Sequence, residues 1–457
     1  MKDILLISCP RFSYEMQFMR FPFKQILSSK FLWNTGFLKK KSWIPMGVTY
    51  LASYLEENGF TADILDLDTS IPSRYEKTVL EKVKDYRYIG ISFITMFYDL
   101  AVRLAVEIKK NNPGIQVVLG GPHASFDYEN ILNNVPEVDF IIVGEGERAL
   151  ASLLKNTDEK SGIAYRSGRD IKVSETAEIE DLDSIPFPAR DKCKPIDYDY
   201  FDETPVLTSR GCTRRCSFCV EHRMFPRKRF RSAANVADEI EQLVSAGKRE
   251  ILIYDSDFAV SKQHVKKIAA ELNSRSLSFD KFYCLGHVES INTDFLDTLL
   301  TINSGEFIIE IGVESLCAAL YGVNKTADII SYKEKLTEIL EYGTKRNIRF
   351  TLNYLMPLPG QTLPEVLKEM EFLKKYGYIH MFLLTPYPGT LLWKEAGASL
   401  ITRELAKYNC KNLVYNPTSL KTKEIRKCYR YAVGMKRDIY YLYILMFLFY
   451  KKIRGYH

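Results

Sequence analysis

Three cysteines lie within eight residues of this chain, Cys212, Cys216 and Cys219, spaced Cys-x3-Cys-x2-Cys with Arg214 and Arg215 between them. Thiolates crowded this closely select zinc or an iron–sulfur cluster over harder metals. Structural zinc is closed by four ligands, usually as two separated pairs, and a cubane cluster normally takes four cysteines. No fourth cysteine is near, so three thiolates in one loop would leave one iron of a cluster open. An open iron is a place for a reaction. A zinc site, or three unrelated thiols, is the competing reading of the spacing alone.

A loop of this kind needs a rigid scaffold, and the sequence around it supplies one. A strand at 206–209 feeds it, and a helix at 233–246 follows, with Val236, Ile240, Leu243 and Val244 on one face. Further strands are predicted at 250–254, 279–285, 306–313, 349–356 and 379–385, with helices between them at 264–274, 294–302, 332–345 and 364–376. Six such strand–helix units point to an incomplete TIM-type (β/α)6 barrel, whose site lies at the carboxyl ends of its strands. Those ends are polar here. The second carries Asp255-Ser256-Asp257, where paired carboxylates could hold an ammonium group or Asp257 could cap a helix. The third carries His287, an acid–base candidate or a structural histidine. The fourth carries Glu310 and, in Gly312-Val313-Glu314-Ser315, Glu314; a buried carboxylate needs a partner or an opening. The fifth and sixth end in proline–glycine corners, Pro357-Leu358-Pro359-Gly360 and Pro386-Tyr387-Pro388-Gly389.

The first third of the chain reads as another α/β unit. Apolar runs at 4–8, 61–67, 88–93, 116–119 and 139–143 alternate with helical stretches, including 47–58 and 100–110. That pattern predicts a five-stranded parallel sheet of flavodoxin-like (Rossmann) type. Ligands bind such sheets beyond the carboxyl ends of the strands. Ser92, then Gly120-Gly121-Pro122-His123, then Gly144-Glu145-Gly146-Glu147 stand at those ends. Glycines there either open the backbone to a large ligand or simply make turns.

Composition sets the outer limits. At 457 residues, with 46% hydrophobic and 26% charged residues, the chain has the make-up of a globular protein of two to three domains. A net charge of +6 lacks the concentrated basic stripe that nucleic acid would need. Nine cysteines, six of them isolated, do not read as a disulfide framework. The start at Met1 runs straight into a strand too short for a signal peptide, which suits a reducing, cytoplasmic setting. Residues 439–450 are twelve consecutive apolar or aromatic residues flanked by Lys436, Arg437, Lys451 and Lys452. That is too short for a span, which needs about 20 residues. It suits an interfacial segment touching the inner face of a membrane, or a terminal helix buried on the barrel. The domains read as 1–155, a linker at 156–204 that is ordered and holds a small hairpin at 163–172, the barrel at 205–390, and a C-terminal helical region at 391–457.

Taken with these phrases, the cysteine loop resembles that of radical S-adenosylmethionine (SAM) enzymes. The series Gly47-x-x-Tyr50-Leu51-Ala52, Gly-Gly-Pro-His and Val-Gly-Glu-Gly-Glu resembles the cobalamin-binding domain that precedes many of them. The group includes cobalamin-dependent radical SAM methyltransferases and proteins like the anaerobic magnesium-protoporphyrin ester cyclases. The resemblance implies that Cys212, Cys216 and Cys219 hold a 4Fe–4S cluster whose open iron SAM chelates, and that one-electron reduction by an external donor such as flavodoxin or ferredoxin yields a 5′-deoxyadenosyl radical. It implies SAM contacts at Phe218, Asp255, Asp257, Glu314, Ser315 and Pro386, with His287 standing about where many relatives carry arginine. For cobalamin it implies contacts at Ser92, Gly120, Gly121, His123, Gly144, Glu145 and Gly146. The Asp-x-His-x-x-Gly phrase that ligates cobalt is missing after the first strand, so cobalamin is expected without a protein histidine on cobalt. The implied outcome is methylation of an unactivated carbon, with cyclisation, rearrangement or oxidation of a tetrapyrrole, lipid or natural-product intermediate as the alternative enzymatic reading, and a non-catalytic sensor as the alternative outside catalysis. Methylthiotransferases share the cysteine spacing but need three more cysteines in an N-terminal domain, and only Cys9 precedes Cys193.

Overall fold

The computed structural model describes residues 1–11, 41–156, 161–176, 178–197, 199–317, 323–324, 326 and 328–432. The apolar run at 439–450 lies outside the described residues.

The first sheet is built on β1 (Lys2–Ser8), whose alternation divides two cores. Ile4 and Leu6 pack with Val48, Ala52 and Leu55 of α1 (Met46–Glu57) on one face. Leu5 and Ile7 face the other way. Gly59, at φ +85°, ends α1 in the left-handed conformation. In chain order follow β2 (Ala62–Asp66), α2 (Tyr75–Lys82), β3 (Tyr86–Ser92), α3 (Tyr98–Asn111), β4 (Gln116–Gly120), α4 (Pro122–Asn134), β5 (Phe140–Ile142) and α5 (Glu147–Lys155). The parallel strands lie in the order β2-β1-β3-β4-β5, the flavodoxin-like arrangement. An antiparallel hairpin, β6 (Ile163–Ser167) and β7 (Asp170–Val173), extends the sheet beyond the expected five strands. The hairpin expected at 163–172 is thus part of the sheet.

The second sheet is six parallel strands in sequence order: β8 (Thr204–Val206), β9 (Glu250–Ile253), β10 (Phe279–His287), β11 (Ser304–Glu314), β12 (Arg349–Met356) and β13 (Gly377–Leu383). β8 and β13 are its two edges, so the barrel is open at one side. Helices α6 (Ala233–Ser245), α7 (Lys262–Ser274), α8 (Thr293–Leu300), α9 (Ile329–Thr344) and α10 (Leu363–Leu373) alternate with the strands. Phe282 and Cys284, Ile309 and Ile311, and Phe350 and Leu352 enter the helix-side core. Alternation therefore turns Leu285 and His287, Glu310 and Gly312, and Thr351 and Asn353 to the concave face. Beyond β13, Leu383 N donates to Cys410 O at 2.8 Å, and α11 (Thr422–Ala432) closes the described chain.

Candidate functional site

The cysteine loop is held from below by Asp255, at the end of β9. Its buried carboxylate accepts from Thr208 N (2.7 Å), Thr208 Oγ1 (2.6 Å), Ser209 N (3.2 Å) and Ser209 Oγ (2.5 Å). Four donors on one carboxylate fix the path from β8 into the loop, and give Asp255 a positioning task in addition to any ligand it meets. Gly211 follows at φ +85°, where a Cβ would stand 2.3 Å from Arg227 O, so glycine alone fits. The far end is braced by Ser217 N to Val323 O (2.7 Å) and Leu392 N to Ser217 O (2.9 Å). Arg214 N lies 3.4 Å from Cys212 Sγ and Glu221 N 3.5 Å from Cys219 Sγ, amide donors of the kind that stabilise thiolate. Burial pushes all three thiols up, Cys219 to about 12, so any metal that bound them would have to displace their protons. Among the described residues, no three His, Cys, Asp or Glu side chains converge where one ion could sit.

Around the loop the strand ends form a polar rim. Asp257 accepts from Ser290 Oγ at 2.6 Å and lies 4.0 Å from Arg214 Nε. His287 is 7% exposed. Its Nδ1 accepts from Glu289 N at 3.2 Å, which puts the ring proton on Nε2, buried without a partner among the described residues. Burial, then Arg214 and Lys335, lower its pKa to about 3, so it is a neutral N–H donor. His287 pairs in register with Gly312, and a bulge follows between Gly312 and Glu314. Glu314 sits at φ 60°, a left-handed conformation that costs a non-glycine residue roughly 1 kcal/mol or more. Half-buried and without a hydrogen bond among the described residues, its carboxyl is raised to about 7 by burial.

Ser315 faces inward rather than into the mouth. Its Oγ donates to Glu369 Oε2 (2.9 Å) and accepts from Gln361 Nε2 (3.0 Å). Tyr354 Oη and Leu316 N also donate to Glu369 Oε2, each at 2.8 Å. This buried network holds the Glu314 bulge, and through it Ser315 supports the rim. Glu310 is bonded by Asn353 Nδ2 (2.8 Å) and Tyr283 Oη. Phe218 is partly buried against the barrel core, and Pro386 is buried at the sixth strand end.

A cavity of about 580 Å³ joins the two domains. One wall is Ser92, Gly120, Gly121, Gly144, Glu145 and Gly146; the opposite wall is Ser209, Arg210, Val220, Glu221, Tyr254 and Asp255. It runs inward between the first sheet and α1, past Leu6, Gly90 and Val118, to Val48 and Leu51. A Cβ on Gly90 would stand 3.0 Å from Leu6 Cδ2, and one on Gly121 2.6 Å from Phe93 O. His123 does not reach this space. It is buried against Phe93 and Tyr98, with Thr95 Oγ1 at 3.2 Å and Asp127 at 3.5 Å, which makes it a packing residue. The Glu145 carboxylate is likewise taken, by Arg229, Arg210 and Ile179 N.

The B12 binding domain family matches residues 40–154, and the Radical SAM superfamily matches 206–373. The chain belongs to the B12-binding radical SAM proteins. It is 28% identical over 410 residues to the anaerobic magnesium-protoporphyrin IX monomethyl ester cyclase of Rubrivivax gelatinosus, covering 84% of this chain and 72% of that one. An uncharacterized methyltransferase of Pyrococcus horikoshii is 26% identical, covering 85% and 86%. The radical SAM methyltransferase TsrM of Kitasatospora setae, solved with cobalamin and a [4Fe-4S] cluster, superposes with a TM-score of 0.69 at 16% identity, covering 94% and 91%, and shows a shared fold.

This B12-binding radical SAM protein presents residues that fit the groups its families imply. Cys212, Cys216 and Cys219 would hold the cluster, and the orphaned Nε2 of His287 with Glu314 offers a donor and an acceptor for SAM at the rim. The glycine-walled cavity would take cobalamin. Sequence reading missed Gln361 and Glu369, which act through Ser315, and Arg210 and Arg229, which meet Glu145. Their signal was a charged or amide side chain in otherwise ordinary helices and loops, readable only once the partner is in place.

Proposed function

We propose that this protein is a cobalamin-dependent radical SAM methyltransferase acting on an unactivated carbon of a small or lipid-like substrate. When bound, the reduced cluster and SAM supply a carbon-centred radical, and cobalamin supplies a methyl group. The observation that carries the reading is a cavity bounded on one side by the residues that flank the cysteine loop, Ser209, Arg210, Val220 and Glu221, and on the other by the glycine ends of the first sheet. Chemistry needing both cofactors is supported by walls that face each other. Asp255 fixes the loop, Glu314 and His287 orient SAM, and the apolar lining of Leu6, Val48, Val118 and Leu285 excludes water. Among the described residues no histidine lines the cavity, and the first histidine in the chain is His123, which supports cobalamin without a histidine on cobalt. The electron would come from a small donor such as flavodoxin or ferredoxin.

The test is anaerobic reconstitution with iron, sulfide and cobalamin, then reaction with methyl-deuterated SAM and a lipid and pigment extract from a strain lacking the gene. A deuterated methyl in a product, with 5′-deoxyadenosine and S-adenosylhomocysteine, supports the proposal. 5′-Deoxyadenosine with an unlabelled product that has lost hydrogen favours the cyclase reading, which the relation to the protoporphyrin ester cyclase keeps in view. Cofactor binding without SAM cleavage favours a sensor.

A further inference from the structure

Four buried charges between the domains have no part in the chemistry above. Arg210 and Arg229 are directly opposite each other in a two-residue antiparallel pair flanking the cysteine loop. Like charges so placed repel unless something lies between them. Glu145 does: its Oε1 is 2.5 Å from Arg229 Nη2 and 3.3 Å from Arg210 Nη1. Glu147 takes the other arm of Arg210, at 2.6 Å from Nη2. Arg229 Nη1 also donates to Ile179 O at 2.5 Å, and Ile179 N donates to Glu145 Oε2 at 2.9 Å. These two arginines and two glutamates balance in charge, with Glu178, itself paired to Arg227, a further 3.5 Å from Arg229 Nη2, and each arginine is used as a fork, which lysine cannot imitate. Burial alone would raise the Glu145 carboxyl, yet Arg229 and Arg210 hold it below its ordinary value.

The backbones at both ends are tight. Arg210 precedes Gly211, at φ +85° and with a Cβ position only 2.3 Å from Arg227 O, and Cys212 comes next. Glu145 stands between Gly144, at φ +82°, and Gly146, where a Cβ would meet Leu51 Cδ2 at 2.9 Å. A displacement of one loop therefore passes to the other instead of being absorbed. We propose that Glu145, Glu147, Arg210 and Arg229 are positioning residues that clamp the cysteine loop to the glycine loop of the first domain and so set the separation of the two cofactors these loops would carry. This rests on the proposed function for its consequence, though the clamp itself can be tested without it.

The experiment uses the full chain with Glu147→Gln and with the milder Arg210→Lys. In the reconstituted protein, pulsed electron paramagnetic resonance reads the magnetic coupling between the reduced cluster and cob(II)alamin, which falls steeply with distance. Retained iron, sulfide and cobalamin with a weakened or broadened coupling, and more 5′-deoxyadenosine per product, is the expected result. Unchanged coupling at full cofactor content overturns the proposal. In the cofactor-free protein, hydrogen exchange decides independently. Glu147→Gln lies in the first domain, yet it should speed exchange at 206–219 by on the order of a hundredfold, because it leaves half of Arg210 buried and unpaired. No change there, or a uniform change over the whole chain, overturns the clamp. Failure of the wild-type protein to bind cobalamin would sink the proposed function and leave this second arm standing.

Discussion

At the scale of single residues, His287 and Glu314 carry opposite signatures of the same burial. For His287 the folded pKa of about 3 lies below the unfolded value near 6.5. As pH falls below 6.5 the unfolded chain takes up a proton that the folded one refuses, so stability is lost progressively on going from pH 6.5 toward pH 3. The loss is about 2 kcal/mol by pH 5. His287→Asn should remove that component, seen as a flatter difference in urea midpoints between pH 7 and pH 5. Equal slopes for both proteins would refute it. Glu314 makes no hydrogen bond among the described residues and stands in a strained backbone conformation at the rim. Glu314→Gln should leave iron content unchanged and weaken SAM binding roughly tenfold or more, as expected for a charged acceptor of ligand hydroxyls. Equilibrium dialysis on the reconstituted protein measures it. Glu314 was legible in the sequence because a carboxylate interrupts an apolar strand. The task of His287 was not, because its tautomer depends on one backbone amide, Glu289 N, supplied by a turn that no pattern reveals.

At the scale of elements, the strands could be read because each is a short apolar run with helical periodicity on either side. The groups at their ends were harder. Asp255 and Asp257 look equivalent in the sequence, but Asp255 takes four donors from the loop while Asp257 meets Ser290 and Arg214. Asp255→Asn replaces an acceptor oxygen with an NH2 group facing backbone donors. It should destabilise the protein by roughly 2–4 kcal/mol and lower the iron retained after reconstitution. A thermal midpoint and iron content like those of the wild type would refute the anchoring task. Ser315 shows the same limit from the other side. The phrase Gly-Val-Glu-Ser marked the right turn and both its polar residues, but not that the Ser315 hydroxyl is engaged by Glu369 and Gln361 behind the bulge. What turns Ser315 inward is Glu369, 54 residues away in α10. Pairings that distant are set by how helices dock, which periodicity does not encode.

At the scale of the whole molecule, the division into two sheets was visible in the sequence, whereas the clamp between them was not, since Glu145 read as a ligand contact. No helix among the described residues is long and apolar enough to cross a membrane. The described chain ends in α11, which buries Ile425, Cys428 and Ala432 and leaves Lys423, Arg426 and Lys427 exposed, with Lys421 just ahead of it. In the sequence, Lys436 and Arg437 follow, then the apolar run at 439–450. Cations near an anionic bilayer contribute roughly 1 kcal/mol each, and the aromatic and aliphatic run adds an apolar contribution that salt does not screen. The full chain should therefore co-sediment with vesicles containing anionic lipid, only partly released by high salt. A chain ending at residue 435 should bind weakly and be released fully, because it keeps only the basic face of α11. If the two chains sediment alike, the run packs on the protein and the enzyme meets its substrate without a membrane surface.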